Sequence, residues 1–334
     1  MNNKHDAISR RDVFRLGLTA SATLGLASLA HAQDAEPQPQ ADPATQGAGF
    51  YRFNLGELEI AVIADGTFQA PAATFAANQT EETAAAEARK HFADPEAMTC
   101  HVNGLIVRST DTVTLIDTGC GANFGPTLGK TPDNLTRFGI RPEDVSTVVF
   151  THLHIDHCGG VVGEHDASLY PNAEFVTTQA ERDFWTQNPD LSKTGIPANT
   201  RDYLINIAQQ AATNTADRTR IIQPGKEIVP GITSVDLPGH TPGHIGVMLD
   251  SRGETLFFVT DAIHNAKIQM ANPTWHVAFD TDPVQAAKMR QRALDRAAVE
   301  KLMIAGSHLP FPAVGHVRPL GGGYEWEPVA WAWN

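Results

Sequence analysis

The sequence has too little cysteine for a disulfide scaffold and too few cations for a nucleic-acid-binding surface. Its 334 residues include three cysteines, Cys100, Cys120 and Cys158, and only a Cys100–Cys120 pair is left open as a disulfide. The formal net charge of −13 argues against binding to nucleic acid or to anionic membranes. No internal repeat is present, and 42% hydrophobic residues are enough for an ordinary packed core.

The sequence also lacks an apolar run long enough to span a membrane, and this affects how the N-terminal segment is interpreted. Ser9–Arg15 resembles a twin-arginine export signal, and the apolar run 16–30 after it is too short to span a bilayer. Ala30-His31-Ala32 fits a cleavage site, so residues 1–32 are predicted to be a signal peptide. The mature chain would be periplasmic or secreted, without stable membrane insertion. Its net charge becomes −15, because residues 1–32 carry four cations and two anions.

The remaining chain predicts a disordered lead-in over 33–49, rich in Gln, Pro, Ala and Asp, and a single domain over 50–334. Strands and helices alternate along it, which favours two packed sheets with helices outside. The predicted strands are 58–64, 102–108, 112–116, 145–150, 232–237, 244–249, 255–260 and 302–305. The predicted helices include 177–187, 200–212 and 282–300. The excursion between the first two of these helices could border a pocket.

A dense group of ligand-type side chains follows the strand predicted over 145–150. His152, His154, Asp156 and His157 lie within six positions, in one short turn after a buried strand. Histidines scattered on a surface loop would not show this spacing. Imidazole and carboxylate ligands suit zinc and its first-row neighbours, so the turn predicts a metal site.

Three further strand ends carry ligand-type residues: His240, Asp261 and His308. Each alone would be read as an ordinary loop histidine or a turn aspartate. The four residues of the first group cannot satisfy two metal ions. Together with these three residues they could, so the combined set predicts a site for two ions. Asp117 ends another predicted strand and is expected to support a ligand histidine.

The pattern His152-x-His154-x-Asp156-His157, with His240, Asp261 and His308, resembles the metallo-β-lactamase superfamily. The resemblance implies a four-layer αββα sandwich with a site for two divalent ions, expected to be zinc. It assigns three ligands to each metal and Asp261 to both, with a bridging hydroxide between the ions. The first metal would be bound by His152, His154 and His240, and the second by Asp156, His157 and His308.

Flanking segments over roughly 50–330 are similar to methyl parathion hydrolase and its lactonase-like relatives. They are Tyr51-Arg52, 65–67, 124–129, 183–185, 307–312, 315–318 and Gly323-Tyr324. The resemblance implies that Phe124, Trp185 and Tyr203 are aromatic walls of a substrate pocket, suited to flat apolar leaving groups.

We expect a dinuclear metal-dependent hydrolase of lactones or aryl esters, with side activity on organophosphate triesters. The metal-bridging hydroxide would be the nucleophile, and no Gly-x-Ser-x-Gly motif suggests a serine nucleophile. Asp156 and Asp261 are the catalytic candidates at the metals, and Asp261 stands where β-lactamases of this fold usually carry Cys or Ser. His264 is a third candidate, either contacting a substrate carbonyl or leaving group or merely packing.

Several alternatives remain at this point. Organophosphate hydrolysis could be the main activity, or the fold could carry a β-lactamase, an iron-dependent oxidoreductase or a metal-stabilised binding protein. The substrate is expected to be small, neutral and partly apolar, since an acidic protein does not attract anions. The tail residues Trp326, Trp331 and Trp333 could form a homodimer contact or pack on their own domain.

Overall fold

The computed structural model describes residues 47–163, 166–187 and 189–332, and these fold into two sheets. The predictions for residues 1–46, which include the signal peptide and most of the lead-in, lie outside the described residues, as does Trp333. Among the residues described, no helix is both long and apolar enough to cross a membrane.

The first sheet is built by the N-terminal half of the described chain, with seven strands in sequential order. β1 to β3 and the β3–β4 pair are antiparallel, whereas β4 to β7 run parallel. The strands are β1 Phe50–Leu55, β2 Leu58–Ala70, β3 Met98–Arg108, β4 Val113–Ile116, β5 Thr147–Val149, β6 Glu174–Thr178 and β7 Thr219–Ile222.

The second sheet is built by the C-terminal half, again with seven strands in sequential order within the described range. Its pairs are antiparallel except for β11 and β12, which run parallel. The strands are β8 Glu227–Val229, β9 Ile232–Asp236, β10 Ile245–Ser251, β11 Glu254–Phe258, β12 Met303–Ala305, β13 Val314–Leu320 and β14 Gly323–Pro328.

Helices cover both outer faces of the sheet pair. Helices α2 and α5 pack on the first sheet, and α7 packs on the second. The helices are α1 Glu81–Lys90, α2 Thr131–Phe138, α3 Ile155–Cys158, α4 Gln179–Thr186, α5 Ala198–Asn214, α6 Ile268–Ala271 and α7 Pro283–Glu300.

The residue alternation in β2 explains the layers. Ile60 and Val62 point into the core between the sheets, whereas Ala61 and Ile63 point toward the helices on the first sheet. Successive side chains of a strand face opposite sides, so a strand buried on both faces reads as a continuous apolar run. The four-layer αββα sandwich expected from the sequence is confirmed.

Parallel pairing brings the ligand-bearing strand ends together. β4 and β5 are parallel neighbours in the first sheet, and β11 and β12 are parallel neighbours in the second. The segments that follow these strands therefore leave each sheet at one edge. Backbone hydrogen bonds join the sheets there: Ile245 N donates to Thr151 O at 3.0 Å, and Asn103 N donates to Ser307 O at 2.9 Å.

The element predictions were right in type and differed at their ends. The helix predicted over 177–187 begins at Gln179, because Thr177 and Thr178 complete β6. Thr178 then caps α4 by accepting a hydrogen bond from Glu181 N at 3.2 Å.

The three cysteines are buried free thiols, so the Cys100–Cys120 disulfide that the sequence left open is absent from the described chain. Burial raises the pKa of Cys100 to about 12. The thiol is therefore protonated and unreactive at neutral pH.

Candidate metal centre

The candidate metal centre lies where the strand ends of the two sheets meet. His152 and His154 occupy the loop after β5, and Asp156 and His157 lie in the short helix α3. His240, Asp261 and His308 follow strands β9, β11 and β12 of the second sheet. The structure thus brings together all seven residues that the sequence predicted as ligands, in overlapping three-residue groups.

The first group consists of three buried imidazoles. His152 Nε2 lies 3.0 Å from His154 Nδ1, which lies 2.8 Å from His240 Nε2, and the third side of this triangle is 3.2 Å. Ligand nitrogens around a tetrahedral zinc ion are about 3.3 Å apart when each Zn–N distance is about 2.05 Å. The triangle therefore fits a zinc ion closely.

Burial keeps the first group neutral. It lowers the pKa of His152, His154 and His240 well below the usual value, and the neighbouring histidines lower it further. Metal binding needs the neutral imidazole with a free lone pair. The three side chains are thus in the form that binds a cation.

The second group contains Asp156, His157 and His308. Asp156 Oδ2 lies 3.7 Å from His157 Nε2 and 3.5 Å from His308 Nε2. His157 Nε2 is buried without a hydrogen-bond partner among the described residues. A buried nitrogen in this state is costly unless a metal ion or another group satisfies it, so this group also fits a cation.

Asp261 lies between the two groups. Its Oδ2 is 3.4 Å from His240 Nε2 and 2.9 Å from His308 Nε2, and its Oδ1 is 3.3 Å from His157 Nε2. Burial opposes ionisation of this carboxyl, but His157, His308 and other surrounding histidines outweigh it and lower its pKa well below the usual value. An ionised carboxylate in this position can contact ions on both sides.

Carboxylates and carbonyls orient the ligand histidines from behind. Asp117 Oδ2 accepts a hydrogen bond from His157 Nδ1 at 2.8 Å, as expected for the supporting role predicted from the sequence. Asp280 Oδ1 accepts one from His240 Nδ1 at 2.9 Å, and the carbonyl of His101 accepts one from His308 Nδ1 at 2.6 Å. Burial raises the pKa of both Asp117 and Asp280; His157 counteracts this effect at Asp117, and Arg290 counteracts it at Asp280.

Sequence reasoning did not identify Asp280, His101 or Glu181. Glu181 is fully buried in the first turn of α4 and contacts the loops of the first group. Thr178-Gln-Ala-Glu181 has the pattern of a capping box. The capping-box pattern indicates that a helix begins here, but it does not predict that Glu181 contacts loops distant in the chain.

His264 faces the centre, as expected of a residue that could reach a substrate. Its Nε2 lies 3.2 Å from Asp261 Oδ2, and its ring stacks on that of His308 with centroids 5.1 Å apart. Neither ring nitrogen has a hydrogen-bond partner within the described part of the chain. With His240 and Asp261, His264 also forms a group with metal-binding geometry.

A small cavity of about 70 Å³ opens onto the centre. Its walls are mostly apolar and include Phe124, which was predicted as a pocket wall, and Ile196 from the excursion between α4 and α5. The lining residues are Phe68, Phe124, His154, Ile155, Asp156, Ile196, Leu204, His240, Asp261, His264, Phe279 and His308.

The expected pocket roles of Trp185 and Tyr203 are corrected by the structure. Trp185 is fully buried, because α4 turns it inward, and its ring packs edge-on against His154 at a centroid distance of 5.4 Å. Tyr203 is half exposed, and its hydroxyl donates to Asn123 O at 2.6 Å. Neither side chain lines the cavity among the described residues.

Known proteins similar to this chain include bacterial lactonases. An N-acyl homoserine lactonase from Bacillus sp is 26% identical over 148 residues, which cover 44% of this chain and 50% of the lactonase. The chain thus spans half the length of that relative. N-acyl homoserine lactonase AiiB from Agrobacterium fabrum is 26% identical over 243 residues, covering 66% of this chain and 79% of AiiB.

Solved structures resemble the fold over most of its length. AidC, a dizinc quorum-quenching lactonase with a product bound, superposes with a TM-score of 0.80 at 26% identity, covering 85% of this chain and 98% of AidC. The hydrolase AbOPH of the beta lactamase superfamily superposes with a TM-score of 0.78 at 30% identity, covering 86% of this chain and all of AbOPH. The sequence profile of the Metallo-beta-lactamase superfamily matches residues 97–308, and the chain belongs to this superfamily.

Proposed function

We propose that the protein is a dinuclear metal-dependent hydrolase of lactones and related esters. The observation that carries the proposal is the position of Asp261 between two groups of candidate ligands. The similarity to AidC, a dizinc lactonase, supports zinc as the metal and lactones as the substrate class.

The chemistry needs no nucleophilic side chain. When bound, a pair of divalent ions would polarise the substrate carbonyl and supply a water-derived nucleophile at neutral pH. The protein contributes the two ligand groups, the shared carboxylate of Asp261 and the residues that orient the imidazoles. Its mostly apolar cavity walls lower the local polarity, which strengthens electrostatic interactions at the reacting bond.

His264 is the residue proposed to act on the substrate. It lines the cavity beside Asp261, and its ring nitrogens have no hydrogen-bond partner among the described residues. An imidazole in this position can donate to the carbonyl oxygen of a lactone or protonate the leaving alkoxide. Protonation matters most for a strongly basic leaving group such as the alkoxide of a lactone, so an acid at this position favours lactones over aryl phosphotriesters, whose phenolate is a weaker base.

The cavity favours compact substrates that are neutral and partly apolar. Phe68 and Phe124 form an aromatic wall, with ring centroids 5.3 Å apart. This wall suits a flat aromatic ring or a short acyl chain. The volume of about 70 Å³ is well below the roughly 300 Å³ of typical ligand pockets, so long acyl chains require the walls to move.

The experiment is a comparison of kcat/KM for the zinc-loaded protein across substrate classes. The panel contains dihydrocoumarin, short and long acyl-homoserine lactones, aryl acetates, methyl paraoxon and a cephalosporin. We expect the compact lactones to be hydrolysed best and the cephalosporin to be inert. Failure to hydrolyse any lactone or ester, with two zinc ions bound, would contradict the proposal.

Organophosphate hydrolysis is the second candidate. The aromatic wall at Phe124 favours it, since the pocket role of Phe124 was predicted from the resemblance to methyl parathion hydrolase. Turnover of methyl paraoxon above that of dihydrocoumarin would make it the main activity. Elemental analysis separates both hydrolases from an iron oxidoreductase, which would contain iron and show a visible absorption spectrum.

A further inference from the structure

Glu181 forms a junction between the two loops that carry the first ligand group. Its carboxylate is fully buried, and four donors converge on it. Burial raises its pKa, and the four hydrogen bonds counteract that effect. Hydrogen bonds from these four donors therefore compensate for the burial of the carboxylate.

One carboxylate oxygen holds the loop of the histidine cluster. Oε1 accepts a hydrogen bond from the backbone N–H of Leu153 at 2.9 Å, and Leu153 lies between His152 and His154 in the chain. The same oxygen accepts from Trp185 Nε1 at 2.7 Å, and the Trp185 ring packs against His154. The contact therefore fixes the backbone from which both imidazoles project.

The other oxygen holds the loop of His240. Oε2 accepts from Thr241 Oγ1 at 2.5 Å and from Gly243 N at 3.1 Å. Thr178 at the start of α4 adds a further link, because its hydroxyl donates to Gly243 O at 2.9 Å. A Cβ at position 243 would overlap the backbone of Glu181, so glycine allows this close approach.

We infer that Glu181 is a positioning residue that holds the two loops at the separation required for His152, His154 and His240 to bind one metal ion. The inference rests on the proposed function, because it takes these histidines to be ligands of a bound metal. The hydrogen bonds of Glu181 go to Leu153, Trp185, Thr241 and Gly243 rather than to the three imidazoles, so it acts through these neighbours.

Glu181→Gln is an informative change, because it keeps an acceptor on one side of the side chain and places a donor on the other. An amide oxygen at Oε1 can still accept from Leu153 and Trp185. The amide nitrogen at Oε2 can donate to the Thr241 hydroxyl, but it meets the N–H of Gly243 as a second donor. The variant is therefore expected to release the His240 loop while the loop of His152 and His154 stays in place.

The test measures zinc affinity of the full chain by competition with a chelating dye, together with the visible spectrum of the cobalt-substituted protein. Glu181→Gln is expected to weaken one of two zinc sites by about 10- to 100-fold and to change the cobalt bands of that site. Glu87→Gln is the matched control, since Glu87 is a largely buried glutamate that bonds Lys90 on the same helix. The zinc affinity of Glu87→Gln should equal that of the wild type.

Thr241→Val removes a single donor and keeps the shape of the side chain, and Trp185→Phe removes a single donor but also reduces the size of the buried ring. Each should weaken the same zinc site less than Glu181→Gln does. Adding Thr241→Val to Glu181→Gln should cost little more, because both changes act through one carboxylate. If Glu181→Gln does not fold, the zinc affinity of Thr241→Val tests the inference instead.

Unchanged affinity and cobalt spectra in folded Glu181→Gln, or in Thr241→Val alone, would overturn this inference and leave the proposed function standing. A wild-type chain that bound no zinc would overturn the proposed function and this inference together. The two failures are therefore distinguishable in one set of titrations.

Discussion

The two ligand groups of the candidate centre differ in charge. The first contains three neutral imidazoles, and the carboxylates that support it lie behind them, at Asp280 and Glu181. In the second, Asp156 itself is a candidate ligand. Burial opposes protonation of His157 and His308, but the carboxylates around them outweigh it and raise the pKa of both.

This difference suggests that the groups depend on different features of the fold. The geometry of the first group is set by loops from both sheets, which are tied together at α4. The second group is compact, because Asp156 and His157 are neighbours in α3, and it contains a carboxylate that can bind a cation directly. A change in loop position should therefore affect the first group, and loss of the Asp156 carboxylate should affect the second.

Asp261 is the residue that joins the two groups, so its loss should have the largest effect. Asp261→Ala is expected to reduce kcat/KM for the best lactone by about 10³-fold or more, because several kcal/mol of transition-state stabilisation depend on both ions. The fold should persist, since the residue lies at the strand ends. Wild-type turnover by the metal-loaded variant would rule out a shared carboxylate.

His264 tests whether the cavity side of the centre acts on the substrate. His264→Phe should lower kcat for lactones by about 10²-fold, within the usual range for general acid–base residues. The number of zinc ions bound should stay the same, because both ligand groups remain intact. A loss of zinc together with activity would instead identify His264 as a ligand in the group it forms with His240 and Asp261.

Substitution of the two supporting carboxylates, Asp280 and Asp117, distinguishes the two ligand groups most directly. Asp280→Asn should weaken metal binding at the first group, and Asp117→Asn at the second, by about 10- to 100-fold each. Asparagine is suitable at position 117, because the backbone there has a φ of 63° and asparagine tolerates this conformation. Zinc titrations of both variants should show different sites weakened. Loss of the same site in both would falsify the division into two groups.

Phe124 is expected to have the smallest effect. Phe124→Leu removes the edge-to-face contact with Phe68 and should raise KM for aromatic lactones by a few-fold, in line with about 0.5–1.5 kcal/mol for an aromatic pair. KM for aliphatic lactones should change less. Trp185→Leu is the matched comparison, since Trp185 lies behind His154 and outside the cavity; it should lower zinc affinity instead.

The sequence was sufficient to predict the fold and the seven residues of the centre. The ligand-type residues follow apolar runs, and parallel pairing of β4 with β5 and of β11 with β12 places such strand ends at one edge. Local pattern and topology therefore agree at the centre. Asp117 was predicted for the same reason, because it follows β4 directly.

The residues around the ligands were not predictable in the same way. Asp280 and Glu181 reach the loops from distant positions in the chain, and only the packing of α4 and the segment before α7 brings them there. Trp185 was predicted as a pocket wall, but its direction depends on which face of α4 turns toward the core. A local sequence pattern does not determine that orientation.

The most direct test of the central claim is the zinc stoichiometry of the purified chain after loading and removal of excess metal. Elemental analysis should give two zinc ions per wild-type chain, and a chelator series should release them in two steps of different affinity. One ion per chain, or two ions that remain bound equally well after Asp261→Ala, would contradict the claim that this aspartate joins two metal sites.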